Sequence, residues 1–76
     1  MSEITIGDIP LDQLNIGDSV ISLTGKKGVI AGIYPVGTKD PHGNDWDDWD
    51  GGVLMLWLGP TWSIAGWSEL KVIYDN

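Results

Sequence analysis

Glycine and proline interrupt this chain so often that no long helix fits between them. Gly7, Pro10, Gly17, Gly25, Gly28, Gly32, Pro35, Gly37, Pro41, Gly43, Gly51, Gly52, Gly59, Pro60 and Gly66 make up all eleven glycines and four prolines of the 76 residues. Short runs rich in Ile and Val, each bounded by such turn residues, read as strands. The runs fall at 19–23, 28–34, 53–58, 62–65 and 70–74. Thr24-Gly25-Lys26-Lys27-Gly28 reads as a tight hairpin and Gly59-Pro60-Thr61 as a second. Gly66-Trp67-Ser68-Glu69 reads as one helical turn capped by Ser68 or the residue before it. Leu11-Asp12-Gln13-Leu14 reads as another turn, and Ile4-Thr5-Ile6 as a short strand or arm. Five strands in so short a chain cannot build two packed sheets. A strongly bent sheet closed on itself is the economical solution, because closure removes exposed edges.

Composition narrows the possibilities further. The chain has no cysteine, which excludes disulfides, thiolate nucleophiles and thiolate metal sites. Four Lys and Arg against eleven Asp and Glu give a net charge of −7, which argues against a nucleic-acid backbone as the main partner. Five tryptophans suit a chain near the lower size limit for a self-sufficient core, since each buries roughly 150–250 Å². The start, Met1-Ser2-Glu3-Ile4, has neither a basic region nor an apolar run of signal-peptide type. The longest apolar run, 53–58, is far short of the ~20 residues that span a bilayer. These features point to a cytoplasmic protein without membrane contact.

Gly17-Asp18-x-Val20, the hairpin Gly25-Lys26-Lys27-Gly28 and then Val29-Ile30-Ala31-Gly32-Ile33 resemble the KOW-type opening of a small SH3-like barrel. Val53-x-Met55-x-Trp57, Trp62 and Ser68-Glu69-Leu70-Lys71-Val72-Ile73 look like its closing half. Small uncharacterised bacteriophage proteins end on a similar phrase. The resemblance covers roughly residues 14–74. It implies an all-β, five-stranded SH3-like barrel over 17–76, preceded by an N-terminal extension over 1–16 and interrupted by one acidic insertion over 39–52. Barrels of this shape serve many functions, so the resemblance does not choose among them. For a viral protein it implies the host cytoplasm or the virion. Members that bind nucleic acid carry basic residues around the hairpin, and Lys26 and Lys27 are the only adjacent pair here.

The insertion is the most unusual segment. Residues 40–50 hold five carboxylates, Asp40, Asp45, Asp47, Asp48 and Asp50, together with Trp46 and Trp49 and no Lys or Arg. One reading is a solvated loop whose tryptophans fold back onto the barrel. A second is a protein-binding loop, with Trp46 and Trp49 as anchors and Asp45, Asp47, Asp48 and Asp50 steering a basic partner. A third, a calcium loop, fails on spacing: counting from Asp45, position five is Trp49, and no Glu falls at position twelve. No metal or cofactor is expected. His42, in the turn Asp40-Pro41-His42-Gly43, reads as exposed and idle.

The run 53–58 is apolar on both faces. Val53, Met55 and Trp57 share one side and Leu54, Leu56 and Leu58 the other. One set should face water unless something covers it. The N-terminal segment, with Ile4, Ile6, Ile9, Leu11 and Leu14, is one cover, and a subunit interface is another. Trp57, Trp62 and Trp67 could form an aromatic cage for a methylated cation, although core packing is the simpler role.

Catalysis finds little support, because His42 is the sole candidate base and no Gly-x-Ser-x-Gly elbow occurs. The expected function is a non-enzymatic protein-binding or assembly module of phage type, a small virion or accessory protein. It would act through Trp46, Trp49, Asp45, Asp47, Asp48, Asp50, Leu54, Leu56 and Leu58 on a protein partner, itself or another. An alternative is an acidic mimic of nucleic acid that inhibits a host or defence enzyme. A weaker one is a KOW-like nucleic-acid binder using Lys26 and Lys27.

Overall fold

The structure, a computed structural model, describes residues 4–59 and 61–75. The expected start Met1-Ser2-Glu3 and Pro60 of the second hairpin lie outside these residues. Among the described residues six antiparallel strands form one sheet: β1 (Ile4–Thr5), β2 (Ser19–Ile21), β3 (Lys27–Tyr34), β4 (Gly52–Trp57), β5 (Thr61–Gly66) and β6 (Ile73–Tyr74), in the order β1-β6-β2-β3-β4-β5. The all-β expectation holds, with one strand more than expected. The extra strand is the arm, where Ile4 pairs with Tyr74 and Thr5 with Ile73. Closure of the sheet does not follow. No strand pairing joins β5 to β1 among the described residues, and the sheet stays open. The terminal strands β1 and β6 have two residues each, too few to carry the ladder round to β5. No described helix is long and apolar enough to cross a membrane.

Local chemistry explains the turns. The β2–β3 connection runs over 22–26, two residues earlier than the spacing suggests. Ser22 N–H donates to the Lys26 carbonyl at 2.8 Å, and Lys26 N–H donates to Ser22 Oγ at 3.0 Å. Gly25 turns through φ 88°, where a Cβ would be strained. Short 3-10 turns occupy Ile6–Asp8, Leu11–Gln13, Asp47–Trp49 and Trp67–Glu69. The last is the expected turn, but Gly66 is its N-cap and no side chain caps it. Backbone geometry and the Trp67 indole secure it instead, the indole donating to the Ile9 carbonyl at 2.8 Å.

The core lies on one face of the sheet. Val20, Ile30, Val53 and Met55 point into it from β2, β3 and β4, and Leu70 joins from the segment before β6. Two further buried members, Ile6 and Leu14, come from the N-terminal arm. This corrects the expectation that the arm covers the opposite face. An open sheet leaves its core side uncovered, so the arm fills that side and is not available for the other. Ile6 is held there by its N–H, which donates to the Val72 carbonyl at 2.8 Å.

Candidate functional site

The face opposite the core has two halves. Alternation along β4 turns Gly52, Leu54 and Leu56 to this face, and register sets Gly66, Ile64 and Trp62 of β5 beside them. Val29 of β3 continues the Leu56–Trp62 row.

The acidic loop covers the Gly52–Gly66 half. It leaves β3 after Tyr34 and doubles back through a bridge between Lys39 and Asp45. Asp40 organises the return and is only 5% exposed. One carboxylate oxygen accepts from the His42 N–H at 2.8 Å and the Asn44 N–H at 3.0 Å, and the other from the Trp46 indole at 3.1 Å. Burial pushes this carboxyl up. The hydrogen bonds from Asn44, Trp46 and His42, with the His42 charge, outweigh it and hold it below its ordinary value.

The two tryptophans of the loop pack on glycine. A Cβ added at Gly52 would lie 2.5 Å from Cγ of Trp46, and one at Gly66 would strike the side chain of Trp49. The rings meet at 5.5 Å between centroids, tilted by 59°. His42 reaches farther and stacks on Trp62, with centroids 5.1 Å apart and planes within 15°. The histidine is exposed as expected but is not idle. It lays the loop tip along the sheet.

Asp47 accepts the Gly37 N–H at 3.0 Å. Asp50 takes the left-handed conformation, φ 59°, and closes the 3-10 turn. Asp45 and Asp48 are exposed, and no described residue hydrogen-bonds or ion-pairs with their side chains. The four carboxylates do not converge on one point among the described residues.

The other half of the face is open. Met55 is 2% exposed, whereas Leu56 is 47%, Leu58 71% and Trp62 50% exposed. Leu54, nearer the loop, is half-buried. Lys27, Val29, Leu56, Leu58, Trp62 and Asp75 line a groove of about 700 Å³. No family model, no curated protein and no solved structure matches this chain. The geometry alone therefore carries the functional reading. A shallow apolar groove with Lys27 and Asp75 in its lining can dock a protein surface.

The structure separates several candidates that the sequence brings together. Trp57 lies on the core side, where its indole donates to Ser63 Oγ at 2.8 Å. Trp67 is tied to the arm and Trp62 faces outward, so the three do not form one cage. Trp46 and Trp49 belong to the covered half, away from Leu56 and Leu58. Val29 is a groove residue to which the sequence reading gives no binding role, and Trp62 and Lys27 line the groove rather than the cage or the nucleic-acid surface expected for them. The alternation that picked out Leu56 could have found Val29 and Trp62, its cross-strand neighbours.

Proposed function

We propose that this chain is a non-enzymatic protein-binding or assembly module whose contact surface is the open face of β3, β4 and β5. The observation that carries the reading is the contrast along one strand: Met55 is sealed while Leu56, its neighbour, stands 47% exposed beside a groove of about 700 Å³. Water contact with a contiguous apolar patch is unfavourable by roughly 25 cal/mol per Å², which favours a partner over solvent.

We read the fold as an opened relative of the SH3-like barrel to which an arm has been added. Supporting this are the strand order β6-β2-β3-β4-β5 and the 3-10 turn that leads from β5 towards β6. The likeness to small bacteriophage proteins supplies a setting, assembly of a virion or an accessory role. A non-enzymatic role is supported by His42, the only histidine, being engaged in a ring stack. The acidic-mimic alternative loses Asp40 to the loop interior, while the exposed Asp47 keeps its charge with one oxygen engaged by the Gly37 N–H.

The test is binding of anilinonaphthalene sulfonate to dilute folded protein. Enhanced dye fluorescence that Leu56→Asp abolishes, with an unchanged circular dichroism spectrum, supports the docking face. No enhancement with the wild-type chain overturns it.

A further inference from the structure

β5 is an edge of the sheet, and its outward side carries unpaired backbone. Trp67 N–H donates to the Gly51 carbonyl at 2.8 Å, just beyond the β4–β5 ladder. Antiparallel strands exchange both bonds at every second residue, so Ala65, Ser63 and Thr61 bond to Val53, Met55 and Trp57. On the other side of β4, the Leu58 N–H bond to the Lys27 carbonyl gives the same phase, with Leu56 and Leu54 bonded to β3. Trp62 and Ile64 therefore turn both N–H and C=O away from β4. Among the described residues nothing hydrogen-bonds to those groups. Trp62 is 50% exposed and Ile64 half-buried.

The two edges of the sheet differ in their protection. Exposed edges are usually blunted by shortness, charge, proline or bulges. β1, at one edge, has two residues. β5, at the other, has six, with no charge and no proline, and its register with β4 runs without a bulge. Its Thr, Trp and Ile favour extended backbone. Another extended chain, about 4.8 Å away, matches a donor and an acceptor repeated at every second residue.

We infer that β5 takes an extended segment of a basic partner protein as a further antiparallel strand. The inference rests on the reading of this chain as a protein-binding module and adds the edge to the open face. Charge chooses the partner. The acidic loop lies over β5, with Trp49 on Gly66 and His42 stacked on Trp62. Asp45, Asp47, Asp48 and Asp50 are exposed in it, against Lys39 as its one lysine. Antiparallel pairing of β5 with its own copy would keep both loops on one side of the joined sheet, in two chains of net charge −7. Like charge therefore disfavours a second copy and favours a cationic segment. Residues of the added strand opposite Trp62 and Ile64 share their face, on the loop side, and the one opposite Ser63 faces the core side. Lys or Arg at alternate positions, with apolar residues between, suits both faces.

The test uses the full chain and a synthetic peptide of about eight residues that alternates lysine and valine. Amide hydrogen exchange followed by NMR should find Trp62 and Ile64 unprotected in the chain alone and slowed about tenfold or more by the peptide. Ser63, bonded to Met55, should be protected in both. N-methylation of the lysine amides, which point at β5, should abolish the effect, and N-methylation of the valine amides should leave it. A glutamate–valine peptide should bind about tenfold or more weakly, and Asp45→Lys/Asp48→Lys, checked for folding by circular dichroism, should narrow that preference. Any of four results overturns the inference. The first is no slowing at saturating peptide. The second is slowing that survives methylation of the lysine amides. The third is equal affinity for the two peptides. The fourth is a chain that alone forms a species of twice its 8.3 kDa mass with Trp62 and Ile64 already protected. Failure of the peptide with the dye still bound at Leu56 overturns the edge alone. Failure of both removes the protein-binding reading as well.

Discussion

Gly52 and Gly66 face each other across β4 and β5, and each supports one indole of the acidic loop, Trp46 on the first and Trp49 on the second. A methyl group at either position would occupy space the indole already fills. Gly66→Ala should destabilise the protein by about 1–3 kcal/mol, because the loop must lift to admit the methyl. Urea titration followed by tryptophan fluorescence checks this. A change below about 0.5 kcal/mol would show that the indoles do not rest on the glycine pair.

Adjacent residues of β4 should respond very differently to truncation. Met55→Ala removes a sealed core side chain and should cost about 2–5 kcal/mol, whereas Leu56→Ala on dilute protein should cost less than about 1 kcal/mol. Chemical denaturation of the two variants side by side tests the assignment of faces. Equal losses would refute it.

The arm is a wall of the core rather than a tail. Ile6→Ala should therefore cost about 2–5 kcal/mol, like any buried isoleucine. Ile16→Ala, at an exposed position of the same segment, should be within about 0.5 kcal/mol of wild type. Thermal or urea melts of both variants give the comparison.

Asp40 makes the loop sensitive to acid. Its carboxyl is held below its ordinary value in the folded loop, so its ionised form favours the folded arrangement. That stabilisation is present above the ordinary carboxylate pKa, about 3.9, and is lost as pH falls through the lower folded value. Acidification should release the His42–Trp62 stack and the Trp46 hydrogen bond, visible as a change in tryptophan emission. Asp40→Asn should show altered emission at neutral pH and a weaker acid transition. An acid transition identical to wild type would remove Asp40 from this role.

Asp50 tests backbone against ligand chemistry. Its left-handed φ of 59° suits glycine or aspartate and strains a β-branched residue. Asp50→Val should cost about 1–2 kcal/mol, while Asp50→Gly stays within about 1 kcal/mol of wild type. Denaturation curves decide between this structural role and a purely electrostatic one, for which both substitutions would behave alike.

The strands were legible because their signal is local. Glycine and proline bound each run, and alternation along 53–58 assigns Met55 and Leu56 to opposite faces without any knowledge of the partner strands. The Trp67 turn was legible for the same reason. Closure was not legible, because it depends on whether the two-residue strands β1 and β6 reach β5, and no local pattern encodes that. The arm's side was hidden likewise. Its isoleucines and leucines declare that it packs on something, but Ile6 reaches the core through a bond to Val72, far away in sequence. In the loop, the run Asp40 to His42 shows a turn. Nothing in it shows that the carboxylate would be spent on Trp46, or that the histidine would reach Trp62. Such returns are set by contacts distant in sequence, which no local pattern encodes.

β6 lies between β1 and β2, so the most N-terminal described strand is joined to the sheet only through the most C-terminal one. During synthesis the β2–β5 meander can form as its residues emerge, but Ile4 and Thr5 have nothing to pair with until Ile73 and Tyr74 leave the ribosome. Until then Ile6 lacks its bond to Val72, and the core side stays open to solvent. Completion of the core therefore waits on β6, whose arrival lets β1, Ile6 and the core side close together.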